Sequence, residues 1–354
     1  MQIQYRYAKN SQVIGVSLQS KCRYHLSGFP KIGGDDTNHI VDSSPKLEDL
    51  TFHRITATKG FLQPLSRARE LKALRLDCCK SLVASDLKHV PKTVERLHIE
   101  GYLESADTIP IDHLTHLKSL HLCDLELNDH SYRVLQKLSS LEVFACAQCS
   151  GFSDKSVQHL EKAEGLHAVH LVDVAITDDA LASLVKHPNL EYLWLPSTIS
   201  AKGLRHLATC DNLRTLGIQG TMIDNEAIAV LRSIQKLEDL HLLVTKIDDS
   251  GLVAIGRMDA LEQLEVFGCR MITSNGLSQF AGVSRVKRLS LRASSVDDKG
   301  FLSLGSLRTL KAIDVAMTKV SEEAIKAFRH KRPTVEVFGN QDMMKMLEDT
   351  TEGD

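Results

Sequence analysis

Five side chains between positions 77 and 123 carry the groups best able to do chemistry: Asp77, His98, Glu100, His121 and Cys123. Imidazole, carboxylate and thiolate are the groups that bind zinc in proteins. A cysteine activated by a histidine also forms a thiol nucleophile. No pair among the five has the local spacing of a known metal motif. Any site must therefore be assembled by elements that are distant in sequence.

Those elements come from a repeated six-residue frame, apolar-x-x-apolar-x-apolar, exemplified by LEDLTF at 47 and LKALRL at 71. Successive frames start 23 to 25 residues apart, which predicts a repeat array. Each frame predicts a strand whose fourth and sixth places face inward, while its third, fifth and seventh places line the opposite, concave face. The frames start at 47, 71, 94, 117, 141, 166, 190, 213, 237, 261, 286, 310 and, in degenerate form, 335.

The second half of each repeat predicts a short helix, as in ITDDAL from Ile176 and IDDSGL from Ile247. A Thr, Ser or Asp side chain there can accept from the free N–H groups of the first helical turn. A small residue three places later permits close approach to the neighbouring repeat. The predicted caps are Thr177, Ser200, Asp224, Asp248, Thr273, Asp297 and Ser321.

A third position holds small side chains that can hydrogen-bond the turn from inside. Such a ladder satisfies backbone groups that would each cost about 1–3 kcal/mol if buried unpaired. Its members, eight places beyond the frame starts, are Cys79, Cys149, Thr198, Thr221, Thr245, Cys269, Ser294 and Thr318, and it is interrupted at Leu125 and Val174.

The frame and the ITDxGL-like second half resemble the leucine-rich-repeat family, in its cysteine-containing bacterial form, over residues 47 to about 340. Planctomycete-type bacterial arrays are the nearest form, and F-box substrate-receptor arrays are more distant. The resemblance implies an α/β, right-handed horseshoe of 12–13 repeats, with a parallel sheet on the concave face and short helices on the convex face. We predict a cap with one degenerate repeat and an irregular insert at 1–46, an array at 47–338, and a lid with an acidic tail at 339–354.

The strand frame places the five chemical groups on three adjacent strands of the concave face. Mixed polar residues are common there in leucine-rich arrays, so the favoured interpretation is a solvated rim, extended by Arg292, rather than a metal site or a Cys123 nucleophile. No metal and no cofactor are expected. Titration of the histidines would make partner affinity depend on pH.

A second concave feature is apolar and aromatic, and it surrounds Trp194, the only tryptophan. Gly217 predicts a notch about one side chain wide between Trp194 and His241 on neighbouring strands. Two interpretations stay open: Trp194 binds a partner, or it lies flat over Gly217 and shields the backbone. The candidate binding residues are His170, Val172, Tyr192, Trp194, Gly217, His241, Leu243 and Phe267, with Pro196 beside them.

Composition narrows the function classes. The chain has 43 basic and 45 acidic residues, which gives no electrostatic reason to expect nucleic acid or an anionic membrane. No apolar run is long enough to cross a bilayer, and the N-terminus lacks the order of a signal peptide, so a cytoplasmic protein is expected. The eight cysteines do not form the two C-x-x-C pairs that a zinc-binding knuckle needs. We therefore expect them to be reduced, structural thiols.

No phosphate-loop, nucleophile-elbow or zinc-protease signature occurs, which argues against an enzyme. The leading hypothesis is a monomeric scaffold that binds one protein partner on its concave face. The alternatives are a substrate-recruiting subunit or bacterial effector, and a purely structural repeat protein.

Overall fold

The structure is a computed structural model that describes residues 2–7, 13–19, 30–104, 107–220 and 222–343. The chain forms two compact units, residues 1–189 and residues 190–354. Each unit is a stack of repeats in which parallel strands are followed by short helices. The predicted α/β repeat fold is thereby confirmed.

The main sheet of the first unit runs in the order β1-β2-β4-β6-β8-β10-β11-β12, where β1 is antiparallel to β2 and the later neighbours are parallel. Four short strands form two further parallel pairs, β3 with β5 and β7 with β9. The strands are β1 Gln2–Tyr7, β2 Val13–Gln19, β3 Lys31–Ile32, β4 Asp49–His53, β5 Thr56–Ala57, β6 Ala73–Asp77, β7 Leu82–Val83, β8 Arg96–Glu100, β9 Leu103–Glu104, β10 Ser119–Cys123, β11 Val143–Ala147 and β12 Ala168–Val172.

The sheet of the second unit is parallel throughout and follows chain order from β13 to β19. Its strands are β13 Tyr192–Leu195, β14 Thr215–Gln219, β15 Asp239–Leu243, β16 Gln263–Glu265, β17 Arg288–Ser290, β18 Ala312–Asp314 and β19 Glu336–Phe338.

Helices return the chain between strands. The α-helices are α1 Gly34–Ser43, α2 Asp154–Gln158, α3 Asp178–Leu184, α4 Ala201–Leu204, α5 Asn225–Leu231, α6 Asp249–Ile255, α7 Ser274–Val283, α8 Asp298–Ser303 and α9 Glu322–Lys331. Tighter 3₁₀ turns occur at Gln63–Arg67, Ala84–His89, Asp129–Lys137, Arg205–Thr209 and Leu304–Ser306.

The predicted helix caps are confirmed, because all seven side chains accept from an N–H of the first turn. The first helical residue also reaches the cap of the next repeat. Asp249 accepts the N–H and hydroxyl of Thr273 at 2.7 and 2.6 Å, and Asp298 accepts those of Ser321 at 2.6 and 2.8 Å. The helices α7 and α9 are therefore stabilised both by their own caps and by the preceding repeat.

The predicted ladder of small side chains that hydrogen-bond the turns is confirmed at its three cysteines. The Sγ atoms of Cys79, Cys149 and Cys269 donate to the preceding repeat's carbonyl oxygens at 3.6, 3.4 and 3.5 Å. The prediction is wrong at Thr198, which is exposed, and at Ser294, whose buried hydroxyl has no hydrogen-bond partner within the described residues. Thr221 lies outside them.

Two local predictions are corrected. The insert that was expected to be irregular contains α1, because Asp36 accepts the N–H of Gly33 at 2.9 Å and two aspartates occupy the positive end of the helix. The last frame is displaced by one residue, since Phe338 pairs with Asp314 rather than facing inward. A one-residue slip in a strand reverses which face each side chain occupies. Of the predicted lid, residues 340–343 form a helical turn, and residues 344–354 lie outside the described residues.

Candidate binding surface

The two faces of each sheet differ in exposure as the frame predicts. Side chains at the fourth and sixth places, such as Leu120 and Leu122, are fully buried against the helices. Fifth-place side chains such as His121, Trp194 and Glu265 are half-buried, so this second face remains accessible. We call it the accessible face. In the described strands, side chains on this face can meet a ligand, whereas those at the fourth and sixth places cannot.

In the second unit, the aromatic patch is built around Trp194. Register pairs Trp194 with Gly217, and Gly217 with His241 on the next strand. The Trp194 indole lies over Gly217, because a Cβ added there would fall inside the ring's van der Waals envelope. The rings of Trp194 and His241 are tilted by 37° with centroids 5.3 Å apart. His241 Nδ1 in turn lies 2.9 Å from Glu265 Oε2.

The predicted notch is therefore wrong: the indole itself fills the space above Gly217. Of the two interpretations of Trp194, the one in which it lies flat over the glycine describes its position correctly. The other interpretation, that Trp194 binds a partner, is still compatible with the structure, since Trp194 is only half-buried. The indole is held in place and still presents a surface.

The remaining patch residues are placed as follows. Tyr192, Leu243 and Phe267 are half-buried on the same face of the second unit. Pro196 is buried and does not contribute to the surface. His170 and Val172 are half-buried on β12, the last strand of the first unit.

A depression of about 320 Å³ adjoins the patch in the second unit, shares His241 with it and is also lined by Glu265. Burial raises the pKa of Asp314, which lines its floor and accepts the N–H of Ala316 at 2.8 Å. The frame places Ser290 and Asp314 on this face, but the candidate set omitted them. Phe338 was missed because its frame was read one residue late. The depression is lined by His241, Glu265, Arg288, Ser290, Asp314 and Phe338, among others.

In the first unit, three of the five chemical groups converge. His98 Nε2 lies 3.3 Å from Asp77 Oδ1 and 3.3 Å from Glu100 Oε2. Arg75 binds the other oxygen of Asp77, and His53 Nδ1 lies 3.6 Å from it. The expectation of a solvated rim is wrong for Asp77, which is 6% exposed and has Arg75, His53 and His98 against its carboxylate.

His121 and Cys123 stand beside this cluster. The ring of His121 lies 5.8 Å from that of His98, and burial lowers the pKa of His121. Burial, together with Cys149 and Glu100, raises the pKa of Cys123 to about 11. A thiol that is protonated at neutral pH is a poor nucleophile, so the raised pKa of Cys123 gives no support to a catalytic role for it.

Arg292 does not join the polar cluster. It belongs to the second unit, where its Nη2 lies 3.2 Å from the sulfur of Met343 in the C-terminal helical turn. The sequence does not predict this contact with Met343, because the two residues are 51 positions apart in the chain. His53 and Arg75, which complete the cluster around Asp77, were missed as site residues although the strand register points to both.

The first unit is expected to lose stability as pH falls below about 6.5. Burial lowers the pKa of His121, His159, His170 and His187, so these rings are neutral when folded. In the unfolded chain they protonate near pH 6.5, and the unfolded state then binds more protons. Each proton taken up on unfolding reduces the free energy of unfolding by up to about 1.4 kcal/mol per pH unit.

Thermal melting at pH 7.5 and pH 5.5 checks this expectation. The melting temperature should be lower at pH 5.5, and replacing the buried His187 by glutamine should reduce the difference. Equal melting temperatures at the two values would contradict it. Paired carboxylates such as Asp248, whose pKa is lowered by hydrogen bonds from Ser250 and Asn225, lose their contribution only at still lower pH.

No helix in the described residues is both long and apolar enough to cross a membrane. No family profile matches the sequence. Among solved structures, the chain is similar to an internalin of Listeria monocytogenes (TM-score 0.57, 17% identity, 88% of this chain and 86% of that chain). It is also similar to a leucine-rich-repeat protein of Leptospira interrogans (TM-score 0.47, 13% identity, covering 87% of this chain and 88% of that chain).

A third similar structure is the leucine-rich-repeat ectodomain of an Arabidopsis thaliana receptor kinase, solved in complex with Casparian strip integrity factor 2 (TM-score 0.48, 16% identity, 92% of this chain and 44% of that chain). At these identities, likeness concerns the fold alone. The internalin match agrees with the parallel strands and short helices described above. The chain therefore has the fold of leucine-rich-repeat proteins.

Proposed function

We propose that the chain is a protein-binding scaffold whose second unit holds a partner on its accessible face. The observation that carries this proposal is the fixed position of Trp194, packed between Gly217 and His241. An aromatic side chain that is already held in place loses little conformational entropy when it binds. Aromatic anchors of this kind dominate the affinity of many protein interfaces.

The surroundings of Trp194 suggest the chemistry of the partner. Half-buried Tyr192, Leu243 and Phe267 add apolar surface on the same face. The adjoining depression carries Glu265, Asp314 and Glu336 against one arginine, Arg288. The surface thus favours a partner that presents an apolar or aromatic side chain next to a lysine or arginine. Charged neighbours of this kind raise the association rate and specificity more than the affinity.

Binding is favoured over catalysis by the state of the candidate nucleophile. The pKa of Cys123 is raised to about 11, and the depression in the second unit contains no cysteine among its lining residues. The recruiting-subunit and structural alternatives differ from the scaffold in their demands. The first needs a further contact surface or domain, and the second predicts that changes on the accessible face have no effect on binding.

Replacing both Trp194 and Phe267 by alanine is the test of the proposed function. We expect the double variant to fold and to lose more than about 2 kcal/mol of binding free energy, roughly a 30-fold rise in Kd. Native and variant proteins would serve as paired baits in extracts of the source cells. The affinity of each partner so identified would then be measured by calorimetry.

The matched control is Leu302→Ala on α8. Leu302 is an exposed apolar residue of the same unit but lies on a helix rather than on the accessible face. It should leave affinity unchanged. If the Trp194 and Phe267 double variant bound the partner as tightly as the native chain, the proposed face would be wrong. The cytoplasmic location and the bacterial origin remain predictions.

A further inference from the structure

We propose that Asp77, His98 and Glu100 form a zinc site on the accessible face of the first unit. One ligand atom from each residue lies within 4.8 Å of the other two. A zinc ion with three protein ligands and an open fourth position is a common arrangement in proteins. The three residues come from β6 and β8, which are paired neighbours in the sheet.

The first support is geometric. His98 Nε2 lies 3.3 Å from Asp77 Oδ1 and 3.3 Å from Glu100 Oε2. Zinc binds nitrogen and oxygen at about 2.0–2.2 Å, and the edges of such a tetrahedron are about 3.3–3.6 Å long. Both measured separations match a tetrahedral edge. Two sides of the triangle of ligand atoms thus have the length that zinc requires, and the third is no longer than 4.8 Å.

The second support is the state of Asp77. Its side chain is 8% exposed, and its Oδ1 accepts no hydrogen bond from any described residue, although His98 is close. A buried carboxylate oxygen without a hydrogen bond is costly, and a cation beside it removes that cost. Oδ1 lies 3.3 Å from His98 Nε2, the nitrogen that would complete the site together with Glu100.

The neighbours of Asp77 fix its orientation. Arg75 and His53 lie against Oδ2, which leaves Oδ1 as the oxygen directed at His98 and Glu100. Groups that hold a ligand in this way commonly set the affinity of a metal site. The site also reaches solvent, because the side chains of His98 and Glu100 are 17% and 34% exposed. A water or a partner side chain can fill the fourth position.

The donor set determines which ion is bound. One imidazole nitrogen and two carboxylates suit zinc and similar first-row divalent ions. Calcium and magnesium prefer oxygen ligands throughout and more of them. The site should therefore take Zn²⁺ and Co²⁺ in preference to Mg²⁺ and Ca²⁺.

The test is a titration of the chelator-treated full chain with Zn²⁺ against a chromophoric chelator. We expect one equivalent of zinc to bind and to raise the melting temperature, with no response to Mg²⁺. His98→Gln and Glu100→Gln should each lower the zinc affinity at least about 100-fold. Glu100→Gln is nearly isosteric and partly exposed, so circular dichroism should show it folded.

The matched control is His241→Gln in the second unit. His241 also pairs with a carboxylate, that of Glu265 at 2.9 Å, but within the described residues no third ligand joins them. This change should leave the zinc affinity unaltered. Zinc bound equally by the native protein and by both site variants would overturn the proposal, as would a failure of the native protein to bind stoichiometric zinc.

Cobalt gives an independent readout of the donor atoms. Cys78 Sγ lies 3.4 Å from Glu100 Oε1, and Cys123 is on the next strand. The Co²⁺-loaded protein should show weak visible bands without a sulfur-to-cobalt charge-transfer band. A charge-transfer band would mean that thiolates hold the ion, and the assignment to Asp77, His98 and Glu100 would be wrong.

Discussion

Gly217→Ala is expected to push the Trp194 indole off the accessible face and so to weaken partner binding without altering any anchor. A Cβ at position 217 would fall within the indole, and the ring, packed against His241, must move to avoid it. Overpacking of this kind costs about 1–3 kcal/mol of stability. A partner that uses the fixed indole should lose at least about 2 kcal/mol of binding free energy.

Fluorescence checks the displacement directly, because Trp194 is the only tryptophan in the chain. The half-buried indole should become more exposed, and its emission should shift to longer wavelength. The control is Gly282→Ala on α7, where an added Cβ meets nothing within 4 Å. That change should be neutral or slightly stabilising, since alanine is favoured over glycine in a helix by up to about 1 kcal/mol. An unchanged emission spectrum for Gly217→Ala would show that the indole does not lie on this glycine.

Gly151→Ala should be the more destabilising change, because the obstacle is backbone rather than a side chain. Gly151 has a φ of 68°, and its added Cβ would lie 2.5 Å from the oxygen of Leu127 and 2.6 Å from the Cα of Asn128 in the preceding repeat. The left-handed conformation costs alanine about 1–2 kcal/mol. Crowding against the neighbouring repeat adds about 1–3 kcal/mol. We expect a total loss of about 2–5 kcal/mol.

Denaturant unfolding followed by circular dichroism measures this loss. Gly165→Ala is the control within the same unit, since its Cβ would make only ordinary contacts, at 3.7 Å or more. Its free energy of unfolding should stay within about 0.5 kcal/mol of the native value. Should Gly151→Ala prove as stable as this control, the repeats would not be packed as closely as the structure shows.

The repeat can be predicted from the amino-acid sequence alone. The frame of leucines predicted which strand residues are buried, and the Thr, Ser and Asp residues at the second half predicted seven helix caps, all of which the structure confirms. These features depend on local chemistry repeated at a fixed interval. A helix cap needs only a side-chain oxygen next to the first turn of the helix. A buried strand position needs only an apolar side chain on the inward-facing side of the strand.

Contacts between repeats could not be predicted in this way, because they depend on how side chains of neighbouring repeats pack. Whether Gly217 leaves a notch or receives an indole is set by the rotamer of Trp194 on the neighbouring strand, which the spacing of residues does not specify. The degenerate last frame could be read in two registers, and only strand pairing placed Phe338 on the accessible face. A single-residue shift exchanges the two faces, so a weak frame leaves the surface undetermined.

The polar cluster shows the same division. Residue types indicated zinc ligands, yet the local spacing matched no metal motif, so the sequence favoured a solvated rim. The sheet brings Asp77 against His98 and Glu100, because parallel strands align residues that lie more than 20 positions apart in the chain. Burial of Asp77 depends on its neighbours in three dimensions. Sequence determines which groups each repeat carries, and stacking of the repeats decides which of them meet.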